Sequence, residues 1–183
     1  MKKLYFNTIN SVKVREITEI FKDYSDEVGF LDNNVTEILS ANLDDVIKAK
    51  AAQAYRLAKV PVIVEHGGLE IEFLNNYPSA LSKPMWDMLG DKICELIPPL
   101  ESRKAVAKSA VCYCDGRKYV ICFGETPGQI SKKGLGDNGF QWDPIFIPEG
   151  STKTYAEMEQ TEKLQFSQAM KAYTALRKKL NLF

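Results

Sequence analysis

Apolar and polar residues recur along the chain with two different periods, which separate predicted strands from predicted helices. KLYFNT, residues 3 to 8, is typical of a short strand. In SVKVREITEIFKDY, residues 11 to 24, Val14, Ile17 and Phe21 recur at the spacing of one helix face. The chain is therefore predicted to begin with a strand, a turn and an amphipathic helix.

The next pattern surrounds the only histidine of the chain, His66. An alanine-rich helix is predicted from about residue 43 to 59, and it leads into the apolar run VPVIVEH. Alternating apolar residues then predict a strand over residues 69 to 74. The two strands would be joined through Gly67 and Gly68, because paired glycines commonly mark a turn. This interpretation places His66 at the tip of a strand, where α/β proteins commonly meet ligands.

The second half of the chain predicts further helices and an antiparallel hairpin. A helix over about residues 85 to 97 precedes two consecutive prolines, which stop it. Between residues 104 and 124, two apolar runs flank Asp115 and Gly116, a strong hairpin turn signal. A glycine-rich segment follows, and apolar residues at helical spacing predict a last helix over about residues 163 to 180. The order of elements predicts a mixed α/β fold.

Composition sets the size and the environment of this fold. The 183 residues, 45% hydrophobic and 26% charged, predict one globular domain over residues 1 to 183, with two lobes around a cleft. Lys plus Arg and Asp plus Glu each number 24, so no basic field indicates nucleic acid or an anionic membrane. The four cysteines form no CxxC pair, and neither a signal peptide nor an apolar run of membrane length stands out. A cytoplasmic protein without a membrane segment is predicted.

The turn NTINSVK offers candidate chemistry for an anionic ligand. Thr8, Asn10 and Ser11 cluster where the first strand leads into the first helix, and Lys13 lies in the first helical turn. Free backbone N–H groups at a helix start, together with a lysine, favour phosphate binding. The alternative is ordinary capping of the helix by Asn10 or Ser11. The segment is not a P-loop, because the required glycines and the GK[ST] ending are missing.

A second candidate segment is GFQWDPIF, residues 139 to 146. Phe140 and Trp142 could hold a flat base by stacking, and Asp143 could accept hydrogen bonds from a ring N–H or a lysine. Core packing of the same aromatic residues is the alternative.

Four acidic residues are candidate Mg²⁺ ligands. Glu37, Asp44, Asp45 and Glu65 carry carboxylates, and Mg²⁺ binds through few carboxylates together with substrate phosphates. The alternative for each is a solvated surface position.

Three motifs in their order resemble one family, the inosine triphosphate pyrophosphatases. TINSVKVRE, residues 8 to 16, resembles the family's T-x-N-x-x-K-x-x-E motif. EHGGL, residues 65 to 69, lies where the family has E/D-D-S/T-G-L, and GFQWDPIF is similar to its GFG-[YW]-DP-x-F segment. The resemblance runs nearly end to end, and the last motif is its most specific part.

The resemblance implies a fold, an activity and a set of site residues. The implied fold is an elongated mixed sheet flanked by helices, with a central nucleotide cleft between two lobes, in a homodimer. The implied activity is hydrolysis of altered purine nucleoside triphosphates, such as ITP, dITP and XTP, to the monophosphate and pyrophosphate, with Mg²⁺ or alternatively Mn²⁺. Lys13, Lys50 and Lys163 would neutralise phosphates, and Glu37 and Glu65 would hold the metal.

The chain departs from the family motifs at two places. His66 stands where the family has an aspartate that accepts a proton and contacts the metal, and Gly67 replaces a hydroxyl residue. Imidazole is a poor Mg²⁺ ligand but can still activate water. Ser167 is followed by Gln168 and an alanine where the family has Ser-His-Arg, so Gln168 would read the base edge and base preference would change.

These departures leave a second hypothesis open, a nucleotide-binding paralogue with little or no hydrolysis or with changed base specificity. A third hypothesis, an enzyme for modified pyrimidine triphosphates like the Maf-type proteins, is disfavoured by the long match at residues 139 to 146.

Overall fold

A seven-stranded mixed sheet forms the centre of the computed structural model, which describes residues 3–181. Six strands follow the order β2-β1-β3-β5-β6-β7, and β4 pairs with β3 beside this path. β1 is parallel to β2 and β3, whereas the other pairs are antiparallel. The strands are β1 Leu4–Asn7, β2 Val28–Leu31, β3 Val62–Ile71, β4 Tyr77–Ser79, β5 Lys104–Cys114, β6 Tyr119–Ile130 and β7 Phe146–Pro148.

Five α-helices flank this sheet, which confirms the predicted mixed α/β fold. Alternate residues of β3 point to opposite faces: Ile63 packs with α1 and α5, whereas Val62 and Val64 pack with α2. No helix within residues 3–181 is both long and apolar enough to cross a membrane. The helices are α1 Ser11–Ile20, α2 Leu43–Ala58, α3 Ser82–Leu89, α4 Gln160–Phe166 and α5 Gln168–Leu180.

A third apolar cluster fills the outer part of the sheet. Leu69 and Ile71 of β3 pack there with Trp142, Phe146 and Tyr155 from the later part of the chain. The segment after β6 is therefore anchored in the core by its aromatic residues, at the C-terminal end of β3.

The predicted break at Gly67 and Gly68 is wrong. β3 runs without interruption through both glycines, and each residue from Val62 to Ile71 has a partner on β5. Gly68 allows β4 to approach β3 closely and does not form a turn. A Cβ at this position would lie 3.0 Å from the backbone oxygen of Ser79 on β4. His66 is consequently a mid-strand residue and not a strand-tip residue.

Three predicted helices have different bounds. α1 ends at Ile20, and a 3-10 segment follows it. α3 begins earlier than predicted and ends at Leu89, because Gly90 after it has a φ of 56° that breaks the helix. A 3-10 segment, Gly90–Leu96, covers most of the remaining predicted range. The C-terminal helix is split at Ser167, whose hydroxyl accepts a hydrogen bond from the backbone N–H of Met170 and so starts α5.

Other local predictions are confirmed. α2 matches the alanine-rich pattern, and β5 and β6 form the hairpin whose turn contains Asp115 and Gly116. The Asp115 side chain accepts hydrogen bonds from the backbone N–H groups of Arg117 and Lys118. Strands β2, β4 and β7, each of three or four residues, were not predicted.

The contact between α5 and β6 is testable at Gly124. A Cβ at this position would lie 2.0 Å from the backbone oxygen of Gln168 and 2.7 Å from the backbone nitrogen of Ala172. Gly124→Ala is therefore expected to lower the free energy of unfolding by about 1–3 kcal/mol through overpacking, measured by urea denaturation. The control is Glu125→Ala at the exposed neighbouring position. An unchanged midpoint in Gly124→Ala would contradict this close contact.

Candidate active site

One cavity collects most of the predicted site residues. Its volume is about 380 Å³, and it is enclosed by the β1–α1 turn, the loop after β2, α2, β3, the segment before β7 and the start of α5. A second cavity of about 460 Å³, at the far end of the sheet, contains no predicted residue. The predicted residues that line the first cavity are Thr8, Asn10, Lys13, Glu37, Lys50, Glu65, His66, Gly67, Phe140, Trp142, Asp143, Lys163 and Gln168.

The β1–α1 turn is held in shape by its own side chains. The Thr8 hydroxyl accepts from the backbone N–H of Asn10, at 3.2 Å. The Asn10 side-chain oxygen accepts from the N–H groups of Val12 and Lys13, at 2.9 and 3.4 Å, and thereby caps α1. Asn10 thus has the capping role considered as the alternative, while it also lines the cavity. Ser11 is exposed and does not line the cavity.

Glu65 points from β3 towards α1 and α5. Its carboxylate accepts from the Ser109 hydroxyl at 3.0 Å and from the Tyr173 hydroxyl at 3.3 Å, and it lies 3.5 Å from the Lys13 ammonium. Burial opposes ionisation of Glu65, but Lys13 and these hydrogen bonds together lower its pKa. Glu65 is therefore a buried, ionised carboxylate.

His66 points to the opposite face of the same strand. Its Nε2 lies 2.9 Å from the backbone oxygen of Ala80, and a carbonyl only accepts, so Nε2 carries a hydrogen. Nδ1 lies 3.5 Å from Oε1 of Glu37, which also accepts from the Lys50 ammonium at 2.6 Å. The contact with Ala80 fixes the ring, and Nδ1 is left next to the carboxylate.

The pKa values of Glu37 and Lys50, the two charged residues next to His66, are both shifted. The nearby His66 ring and the Lys50 ammonium hold the pKa of Glu37 well below its usual value. Burial and the charge of Lys13 lower the pKa of Lys50, although Glu37 acts in the opposite direction. The two lysines thus lie close enough to repel each other, which is an arrangement suited to a polyanion.

Lys163 is held by protein groups on several sides. Its ammonium lies 2.8 Å from Oδ2 of Asp143 and 3.2 Å from Oε1 of Glu16, and 5.2 Å from the centre of the Tyr155 ring. Burial opposes its charge, yet Asp143 and Glu16 raise the pKa of Lys163 above its usual value. The same Asp143 oxygen accepts from the backbone N–H of Phe140 at 2.6 Å. Lys163 therefore links α1, α4 and the aromatic segment.

The aromatic segment combines the two predicted roles. Trp142 is only 6% exposed and packs edge-on against Phe146, with ring centres 5.7 Å apart, yet it also lines the cavity. Phe140 is partly exposed at the cavity wall. Phe140 consequently offers the more accessible ring.

The start of α5 places Ser167 and Gln168 differently. Ser167 is buried, caps α5 and does not line the cavity. Gln168 lines the cavity, and its Oε1 accepts from the Tyr155 hydroxyl at 3.1 Å. Asp44 and Asp45 lie in the first turn of α2 outside the cavity, where Asp44 pairs with Lys48.

Several cavity residues were missed from the sequence. Glu16 belongs to the first motif and lies three residues after Lys13 on α1, so helical spacing could have indicated it. Asn7 and Gln141 lie inside the segments NTINSVK and GFQWDPIF, which could have indicated them, whereas no comparable signal marks Asn33, Asn34 and Lys83. Besides Glu16, the missed polar residues are Asn7, Asn33, Asn34, Lys83 and Gln141.

The carboxylates of the cavity fit Mg²⁺ in their chemistry. Glu37 and Glu65 present oxygen atoms to one cavity, and Mg²⁺ accepts one or two carboxylates together with substrate phosphates. Within residues 3–181 no group of three metal-binding side chains occurs, so the phosphates would have to complete the ligand set.

The chain is similar to known proteins over nearly its whole length. The sequence profile of the Ham1 family matches residues 4–179. A protein from Hyperthermus butylicus described as dITP/XTP pyrophosphatase is 37% identical over 166 residues, which cover 90% of this chain and 87% of that protein. A protein of the same description from Methanopyrus kandleri is 38% identical over 172 residues, covering 93% and 92%.

Solved structures of Ham1 proteins have the same fold as this chain. The HAM1 protein from Coxiella burnetii superimposes with a TM-score of 0.83 at 25% identity, covering 99% of both chains. The Ham1 protein of Staphylococcus aureus, 22% identical with a TM-score of 0.75 and 98% coverage of both chains, shares the fold. The resemblance in the motifs is confirmed, and this chain belongs to the Ham1 family.

Proposed function

We propose that this protein hydrolyses altered purine nucleoside triphosphates, of the ITP, dITP and XTP type, to the nucleoside monophosphate and pyrophosphate. The observation that carries the proposal is a single cavity that joins the β1–α1 turn and its lysines to an aromatic segment. The descriptions of the archaeal relatives support the same substrate class.

The two ends of the cavity fit the two ends of a nucleotide. Lys13 and Lys50, together with the start of α1, would bind the phosphates, because fixed N–H groups and ammonium ions stabilise anions. Phe140 and Trp142 would hold the base. We assign no phosphate to Lys163, because Glu16 and Asp143 already hold its ammonium.

The reaction requires attack of water on the α-phosphorus, with cleavage of the bond to the bridging oxygen and departure of pyrophosphate. Nδ1 of His66 would accept the proton of this water, and the Glu37 carboxylate would stabilise the imidazolium that forms. Glu37 and Glu65 would hold Mg²⁺, or alternatively Mn²⁺, which supplies charge neutralisation and Lewis acidity when bound. Gly67 and Thr8 would border the phosphates.

The remaining expectations extend this proposal. The protein would act as a single domain of residues 1 to 183, as a homodimer and in the cytoplasm, without nucleic acid or membrane partners. The balanced charge of the chain supports the last point.

A second candidate function is nucleotide binding with little or no turnover. It is favoured by His66, because imidazole replaces the family's carboxylate and Nδ1 already faces Glu37. This candidate keeps the same phosphate and base positions and differs in the chemical step or in base specificity.

One screen separates the two candidates. Pyrophosphate release is measured over ITP, dITP, XTP and the ordinary triphosphates, with Mg²⁺ and then with Mn²⁺. Release from the altered purine nucleotides supports the enzyme, whereas nucleotide binding without release from any of them supports the second candidate. Addition of a chelator is expected to abolish release.

Lys13 is the sharpest test of phosphate placement. Lys13→Ala is expected to weaken nucleotide binding by about ten- to a hundredfold, since a charge-assisted hydrogen bond contributes about 1.5–3 kcal/mol. Calorimetric titration of a bound nucleotide measures the effect. Lys22→Ala removes an exposed lysine just beyond α1 and is the matched control. Equal affinity of the Lys13 variant and the parent would contradict the phosphate placement.

A further inference from the structure

The side chain of Asn7 is a buried polar group in the wall of the cavity. Asn7 ends β1, is 3% exposed and lines the same cavity as Glu37 and Glu65. Its Nδ2 donates to the backbone oxygen of Asn33 at 2.9 Å. Its Oδ1 is enclosed and has no hydrogen-bond partner within residues 3–181. An unpaired buried acceptor costs about 1–3 kcal/mol, so this oxygen indicates a ligand.

The carbonyl of Asn33 fixes which way the Asn7 amide is turned. A carbonyl only accepts, so the NH₂ group of Asn7 must face it, and the opposite orientation would set two oxygen atoms against each other. Asn33 belongs to the loop between β2 and α2 that also carries Glu37. Nδ2 therefore holds this loop, and Oδ1 is the atom of Asn7 that is left for a ligand.

Asn7 lies at one end of a gap along the edge of β3. Pairing of β1 with β3 ends at Ile63, and pairing of β4 with β3 starts at Leu69. Glu65 lies on one face of β3 within this gap, and Glu37 contacts the side chain on the opposite face. The gap thus has a carboxylate on each face of the sheet and the Asn7 amide at the end of the neighbouring strand.

The charges around Asn7 decide what its oxygen can bind. Phosphate oxygens are acceptors and would repel it, and the ammonium groups of Lys13 and Lys50 already pair with Glu65 and Glu37. A divalent cation fits, because Mg²⁺ and Mn²⁺ bind carboxylate and carbonyl oxygens. A neutral amide adds such an oxygen without adding negative charge next to a triphosphate.

We propose that Oδ1 of Asn7 is a third protein oxygen of the divalent-cation site, beside Glu37 and Glu65. This inference rests on the proposed nucleotide site, in which the phosphates complete the oxygen ligands of the cation. Asn7 contacts the cation through Oδ1 and holds the loop of Glu37 through Nδ2. Loss of Oδ1 therefore weakens the support that the cation gives to nucleotide binding, and not nucleotide binding by itself.

The test measures binding of the hydrolysis-resistant analogue α,β-methylene ITP by calorimetry, once with saturating Mn²⁺ and once in a chelator. The ratio of the two affinities reports how strongly the cation supports binding. Asn7→Leu keeps a similar volume and removes the oxygen. Its ratio is expected to fall at least about tenfold, since even groups that only support metal ligands change metal affinity about ten- to a hundredfold. Its affinity in the chelator should equal that of the parent.

Two further variants separate the oxygen of Asn7 from its NH₂ group. Asn7→Asp keeps an oxygen but cannot donate to Asn33, and its affinity ratio should equal or exceed that of the parent because a carboxylate also binds Mn²⁺. This variant decides the question as well if Asn7→Leu does not fold, which urea denaturation shows. Gln129→Leu removes an exposed amide at the second cavity and should leave both affinities unchanged.

An unchanged affinity ratio in Asn7→Leu would overturn the inference. An equal fall in Asn7→Leu and Asn7→Asp would also overturn it, because the effect would then come from the hydrogen bond to Asn33. A parent that binds the analogue equally well in Mn²⁺ and in the chelator refutes the inference and leaves nucleotide binding intact. A parent that does not bind the analogue removes the proposed function and the inference together. Cation-dependent binding without pyrophosphate release from ITP refutes hydrolysis alone and leaves the inference standing.

Discussion

His66→Ala is expected to lower kcat by about two to four orders of magnitude, the usual contribution of a general base. The His66 ring is fixed through Nε2 by Ala80, so Nδ1 is the ring nitrogen left to take a proton from water beside Glu37. Alanine removes that atom and leaves the Glu37 carboxylate paired with Lys50. Steady-state pyrophosphate release measures kcat, and calorimetric titration of a hydrolysis-resistant analogue checks that the cavity still binds nucleotide.

The replacement His66→Asp separates the two candidate functions. In an enzyme that uses His66 as its base, the aspartate variant should retain more activity than the alanine variant, because a carboxylate can also accept the proton and contact Mg²⁺. In a binding protein, the parent should be nearly inactive and the aspartate variant should gain turnover. An active parent that is indifferent to both substitutions would return His66 to a purely structural role.

Lys163→Met is expected to lower the free energy of unfolding by about 3–5 kcal/mol, the effect of removing one partner from a buried ion pair. Glu16 and Asp143 would both remain buried without their shared ammonium, and the Asp143 contact that orients the Phe140 N–H would weaken. Chemical denaturation with urea measures the change. Methionine keeps the length of the side chain, so the loss reports on the charge.

Lys153→Met is the matched control for this experiment. Lys153 pairs with Glu162 at 3.0 Å, but its side chain is 52% exposed, so its removal is expected to change stability by at most about 1 kcal/mol. If Lys163→Met instead kept the parent's stability and lost nucleotide affinity, Lys163 would be a phosphate ligand, as the motif resemblance implies, and the structural assignment would be wrong.

The sequence by itself determined the features that depend on neighbouring residues. Asp115 and Gly116 specify the β5–β6 turn through local hydrogen bonds, and the alanine-rich pattern specifies α2. The motifs also identified the family and most of the cavity wall, because each motif carries its residues in one short stretch. Such signals need no knowledge of distant contacts.

The tertiary structure decided what depends on distant partners. The sequence predicts a turn at Gly67 and Gly68, but pairing with β5 keeps β3 extended through them. Their partner residues on β5 lie about forty residues away along the chain. The ammonium of Lys163 is charged in any context, yet only packing brings Glu16 and Asp143 to it. Only the fold brings the amide oxygen of Gln168 within 3.1 Å of the buried Tyr155 hydroxyl. Residue type sets which interactions a side chain can make, and only the fold selects which of them it makes.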